Sequence, residues 1–268
     1  MTNINVNSND GEDLSDTESH TNYDSDLGGS NALNDIKNEF NSANKLCKFL
    51  ENRNMLLILS LYFNSGFVGD PTLNVYSLLL YTPRDEGGMG YTPLEYGQFK
   101  LYTALIVICI DLFFPILLLK IFSKRLCLSG SYLVLVLAIG MSWLPSRVSF
   151  KAYSFAWQLV LYVLCRIPIS VIKVTQLLLL KNIFPKDTHS RVLGFSTFLG
   201  VAGNLVGYMI TGVSFAWSLS NLRRGSEYSK FPFNEAFSFQ LLSVFALGGA
   251  IAAMMLTDEA EGSETFNH

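Results

Sequence analysis

The chain has 268 residues, of which 50% are hydrophobic and only 15% charged, with a mean hydropathy of +0.31. Soluble domains carry about 25% charged residues, so this composition excludes an ordinary water-soluble fold. The net charge of -3 is a cancellation: 15 Lys and Arg against 8 Asp and Glu in residues 54–257, offset by two acidic ends. The basic residues of that middle sit between long apolar runs, where short loops would lie, and form no nucleic-acid motif. No nucleic-acid partner is expected.

Residues 1–30 hold Asp10, Glu12, Asp13, Asp16, Glu18, Asp24 and Asp26, no Lys or Arg and almost no apolar content. Such a segment buries too little surface to offset chain entropy and is expected to be a disordered acidic tail. Over residues 31–54, Leu33, Ile36, Phe40, Ala43, Cys47 and Leu50 recur at near-helical spacing among Lys37, Lys45, Lys48 and Arg53. This pattern predicts an amphipathic linker helix, lying on the membrane surface or packed on the protein itself.

Six apolar segments follow over 55–256, near 55–82, 97–120, 126–145, 153–180, 192–217 and 236–256. Each reaches the roughly 20 residues that cross a hydrocarbon core. The expected fold is an all-α membrane protein, a bundle of six transmembrane helices. β-barrels need short alternating strands, and these runs are long and continuous. Asp70-Pro71 interrupts the first segment; such an interruption is tolerated within a bundle, and the alternative is a break in the helix at Asp70. Residues 257–268 form a second acidic tail. With the N-terminus cytoplasmic, nine basic residues flank the spans on that side against seven on the other, which favours both tails inside. A vacuolar or a plasma membrane suits such a chain equally.

Four ionisable residues fall inside apolar segments: Asp70, Asp111, Arg166 and Lys173. Charges at bilayer depth are costly, so they face a bundle interior or an aqueous cavity and often pair. Arg166 and Lys173, seven apart, share one helix face. An unpaired carboxylate at Asp111 would suit proton exchange; paired with Arg166 or Lys173 it would specify packing instead. Lys173 could also snorkel toward an interface. In the fifth segment Gly200, Gly203 and Gly207 form a small-residue face for close helix approach, within the chain or between copies. Asn204 beside them would bond across an interface or line a cavity.

His20, His189 and His268 lie outside the apolar runs, and no HExxH, GxSxG or phosphate-binding loop appears. The four cysteines have no metal or redox spacing. Neither an enzyme activity nor a metal or cofactor is expected.

The segment YTPRDEGGMGYTPLEYG, residues 81–97, resembles the loop between the seventh and eighth helices of fungal and plant major facilitator superfamily transporters, in their zinc-induced-facilitator-like and tetracycline-resistance-like branch. Pro83, Gly87, Gly88, Gly90, Tyr91, Thr92 and Gly97 match its pattern. Lys124 and Arg125 occupy the basic positions of the following turn. Leu193-Gly194 and Phe215, Trp217 and Ser218 match the tenth to eleventh helices, with Asn204 where a proline is common. The resemblance covers about 55–256, the C-terminal half of a twelve-helix transporter. It implies proton-coupled transport of a small organic solute or drug, with Asp70, Asp111, Arg166 and Lys173 as coupling candidates. It also implies a second six-helix bundle as partner, from another copy or from a separate N-terminal half. The alternative is a membrane protein that does not transport, a truncated relic or a structural or regulatory partner.

Overall fold

A computed structural model of the chain describes residues 53–142, 144, 151–183, 189–223 and 236–257. The acidic tail and nearly all of both the linker helix and the second acidic tail lie outside these residues. The described part is all helical: α1 (Arg53–Tyr81), α2 (Pro93–Ile121), α3 (Lys124–Met141), α4 (Lys151–Ile183), α5 (His189–Arg223) and α6 (Phe237–Met254), with one 3-10 turn (Arg84–Glu86) after α1.

Local chemistry sets several helix ends. Thr92 and Glu95 form a reciprocal capping box at the start of α2, with Pro93 in its first turn. Ser123 caps α3, only two residues after α2 ends, which makes a short turn between two helices that each pack mainly on others. Pro71, Pro115 and Pro168 all sit inside helices. Of the alternatives at Asp70-Pro71, the break is absent: α1 runs through it. Proline leaves the Phe67 carbonyl without its helical donor. That oxygen instead faces Gly207 of α5, where a Cβ would come within 2.5 Å of it.

α2 through α6 are long and apolar enough to cross a membrane, the mark of a multi-pass integral membrane protein. α1, read from sequence as a sixth such segment, falls short in apolarity although its 29 residues are long enough. Asn64, Ser65, Asp70, Thr72 and Asn74 dilute it. The reason lies in packing. α1 is wrapped by α4, α5 and α6, and Met55, Leu61, Val68, Val75, Tyr76 and Leu79 are buried along it. A helix shielded by its neighbours has no need to match hydrocarbon all round. α2 is the opposite case, packed mainly on α4 and apolar almost all round.

The contacts arrange the helices in two layers. A front row runs α2–α4–α1–α5, and α3 and α6 pack together behind it, α3 against α4 and α6 against α1. Exchanging α1–α3 with α4–α6 preserves this pattern. The α1·α5 packing maps onto α4·α2, α1·α6 maps onto α4·α3, and α1·α4 and α3·α6 map onto themselves. Because each triplet holds three helices, the second runs opposite to the first.

Helix ends gather at two poles. At one, Glu86 after α1 meets Arg223 at the end of α5, and Ser214 of α5 bonds Ser238 of α6 at 2.8 Å. At the other, Asn54 at the start of α1 donates to the Thr257 hydroxyl just past α6 at 2.6 Å, and Arg125 of α3 donates to the Met254 carbonyl. Residues 53 and 257 therefore lie at the same pole, as an even number of passes requires.

Candidate functional site

The four ionisable residues singled out by sequence all belong to the front row, each ten or more residues from the nearest end of its helix. That is about 15 Å of helix. They form two separate pairs. Arg166 of α4 donates to Asp111 of α2 at 2.5 Å, and Lys173 of α4 donates to Asp70 of α1 at 3.1 and 3.4 Å. Asn204 of α5 donates its amide to Asp70 at 3.2 Å. Five residues from four helices thus join in two polar clusters, spaced by seven residues on α4, or about 10 Å. Of the alternatives left open by sequence, Asp111 takes Arg166, and Lys173 is paired across to α1 rather than snorkelling.

The pairs are not sealed. The Lys173 side chain is 48% exposed, and those of Asp111 and Asp70 are 36% and 31%. Asp70 also heads a polar stripe on α1, with Asn74, Ser77 and Tyr81 following at helical spacing on the open side. On α4, Tyr162 stands one turn from Arg166, its ring 5.7 Å from the Lys100 ammonium of α2, which also approaches the Tyr96 ring at 5.3 Å. These neighbours were missed in the sequence, although the spacing 70, 74, 77, 81 was readable there.

The small-residue face is used inside the chain. A Cβ on Gly66 of α1 would meet the Gly200 carbonyl at 2.0 Å, and one on Gly203 would meet the Phe63 carbonyl at 2.1 Å. α1 and α5 touch backbone to backbone, which brings Asn204 within reach of Asp70. Gly200 itself has room, since its Cβ would lie 3.7 Å from the nearest atom, the Tyr62 carbonyl oxygen.

The loop of residues 82–92 is a folded object. Pro83 accepts from the amides of Glu86 and Gly88, while the amides of Met89, Gly90 and Tyr91 donate to the carbonyls of Leu79, Thr82 and Leu80. Gly87 and Gly90 have φ of 84° and 63°, the left-handed region that favours glycine. Gly88 packs so closely on Thr82 that a Cβ would lie 2.1 Å from its carbonyl oxygen. Gly97, by contrast, meets nothing within 4 Å. Burial pushes the Tyr91 phenol up to about 12. Glu86 receives two bonds of 2.8 Å from Arg223, which hold its carboxyl below its ordinary range. This tie spans 137 residues.

Behind the front row lies a buried amide. Gln176 of α4 donates to the Leu61 carbonyl at 2.9 Å and to the Tyr132 hydroxyl at 3.4 Å, and accepts from Ser65 at 3.0 Å. Tyr132 donates to the same Leu61 oxygen at 3.3 Å. The cluster locks α1, α3 and α4 together below the charged pairs.

Chemically, the front row offers two carboxylate–cation contacts far from the ends of long helices, on a partly open face. No protein-family model, curated protein or solved structure matches the chain, so this geometry stands on the residues alone.

Proposed function

We propose that the six helices form one half of a proton-coupled transporter of the major facilitator type, moving a small organic solute or drug by alternating access. α1 is then the sixth crossing, and a second six-helix wall comes from another copy or another polypeptide. The observation that carries this reading is the front row with its two half-open ion pairs. Ionisable groups at bilayer depth usually face a bundle interior or a water-filled cavity, so a face bearing two half-open ion pairs suits an aqueous pathway better than lipid. The exchange of α1–α3 with α4–α6 supports it too, because inverted three-helix repeats are the building plan of such halves. Protonation of Asp70 or Asp111 would release Lys173 or Arg166, which gives a substrate anion a cation to bind.

The test is proton flux in vesicles carrying a pH gradient, with the protein and its partner bundle reconstituted together. Asp70→Asn and Asp111→Asn should abolish pH-linked flux while the protein stays folded. A flux indifferent to both substitutions would sink the reading. One observation favours a second reading: all four charges are already neutralised within the chain. A structural or regulatory membrane protein would need no more than that. It would carry no flux with any partner, and Asp111→Asn would lower its accumulation instead.

A further inference from the structure

Leaving aside their first and last turns, the four front-row helices carry three cations, Lys100, Arg166 and Lys173, against two acids, Asp70 and Asp111. The two ion pairs take up both acids. Lys100 of α2 is the cation left over, and it meets no carboxylate among the described residues. Its ammonium lies over two rings instead, 5.3 Å from the centroid of Tyr96 and 5.7 Å from that of Tyr162. Glu95, the nearest acid in sequence, receives the amide and the hydroxyl of Thr92. Ring quadrupoles hold a cation without cancelling its charge, so Lys100 keeps its attraction for an anion.

The surroundings fit such a ligand. Tyr81 packs its ring at 4.4 Å on Tyr96, which adds a third flat surface. Tyr81 is exposed, and Lys100 and Tyr96 are half-buried, so the ammonium is reached from the open side. Tyr162 stands one turn from Arg166, and its phenol senses the charges of both Arg166 and Asp111. Arg166 uses Nη2 on Asp111, while its Nε is buried with no acceptor. Lys100 and Asp111 also share one face of α2. Their eleven residues make three turns to within about 20°, a rise of about 16 Å. The site therefore continues into the ion pairs rather than standing apart from them.

We propose that Lys100, Tyr96 and Tyr162 bind a singly charged organic anion with a flat apolar body, an aromatic carboxylate being the simplest case. Its carboxylate meets the Lys100 ammonium, and its body lies against the tyrosine rings. The inference names the substrate class of the transporter proposed above and rests on that reading. One bound anion matches three cations with three anions along the front row, a balance that a neutral or cationic solute does not give.

Saturation-transfer NMR on the full-length protein in lipid nanodiscs tests this, with empty nanodiscs as the blank. Benzoate, benzyl alcohol and benzylamine share one ring and differ in charge. At neutral pH, benzoate should bind about tenfold more tightly than benzyl alcohol, the scale of a charged hydrogen bond, and benzylamine should bind most weakly. Lys100→Gln should bring benzoate down to the level of benzyl alcohol, and Lys100→Arg should keep the preference. Lys120→Gln, at the other end of α2, should leave it unchanged. Tyr96→Leu should weaken benzoate and benzyl alcohol alike. Benzylamine binding as tightly as benzoate would overturn the proposal, and so would a benzoate preference that survives Lys100→Gln, or no benzoate binding at all. The ligand comparison on the unaltered protein decides the matter even if a variant fails to fold. Benzoate bound without proton-linked flux would sink the transport reading and leave the site standing; flux without benzoate binding would do the reverse.

Discussion

Gly203→Ala isolates the contact that positions Asn204 against Asp70. The added Cβ would sit 2.1 Å from the Phe63 carbonyl oxygen, where ordinary contact begins at 3.4 Å. The shortfall of about 1.3 Å falls on backbone, which cannot rotate away. α1 and α5 must part by roughly that distance, and a gap of 0.5–1 Å already forfeits a quarter to a half of a dispersion contact. Overpacking of this kind costs about 1–3 kcal/mol, and the upper end is expected because Gly66 and Gly207 lie in the same seam. Gly200→Ala, three residues away, meets only the Tyr62 carbonyl oxygen, at an ordinary 3.7 Å, and should gain up to about 1 kcal/mol from helix propensity. The two substitutions should thus differ by about 3–4 kcal/mol with opposite signs. Thermal unfolding in detergent would show Gly203→Ala lowered by about 6–12 °C at 2–4 °C per kcal/mol. Equal shifts for both variants would refute the seam. So would a Gly203→Ala effect confined to oligomeric state, which would mean that the small-residue face works between copies.

A double-mutant cycle on Asp70→Asn and Lys173→Met should return a coupling of about 0.6–1.7 kcal/mol, the range for polar contacts between membrane helices; a coupling near zero would mean that the pair is incidental. Gln176→Leu removes a partner from Ser65 and Tyr132 and should cost about 1–3 kcal/mol, more than Tyr132→Phe, which leaves Gln176 donating to the Leu61 carbonyl; the reverse order in unfolding titrations would count against the cluster. Glu86 has its carboxyl lowered by Arg223, so the tie contributes above the ordinary carboxylate value and is lost as the pH falls through the folded one. Relative to their intrinsic exchange rates, the amides of Met89, Gly90 and Tyr91 should lose protection on acidification, and Arg223→Gln should remove that pH dependence; an unchanged protection profile argues that the loop holds itself. Single cysteines at Asp85 and Thr257 should label from opposite sides of a sealed vesicle, and labelling from one side would overturn the alternating course of the helices.

Much of the helical framework was legible, because apolar runs of twenty or more residues leave few other structures open. That two acids and two bases lie at depth was legible too. Which acid meets which base was not. Lys173 could have served Asp111 as well as Arg166 does, and only the register of α4 against α1 and α2 decides it. What the sequence did not show of α1 is its packing: its neighbours shield its polar residues, and Gly207 accommodates the carbonyl that Pro71 leaves without a donor. The Glu86–Arg223 tie and the Gln176 cluster join residues more than a hundred positions apart, or meet in a core whose polar members look unremarkable one at a time. Gly87, Gly88 and Gly90 could be spotted as a group, yet the need for each differs: positive φ at Gly87 and Gly90, and sheer closeness at Gly88.

The central position of α1 also orders events during synthesis. It precedes the other five described helices, yet its partners come late: Lys173 follows Asp70 by 103 residues, Asn204 follows it by 134, and Thr257 follows Asn54 by 203. A nascent chain that has made only α1–α3 holds an acid and a proline on a helix that lacks the apolarity of its successors. That helix stays a ward of the insertion machinery until α4 and α5 arrive to close around it. Chains stopped after Ile183 would leave α1 half-clothed and pass to membrane quality control, whereas chains that complete α5 gain the glycine seam that takes α1 in.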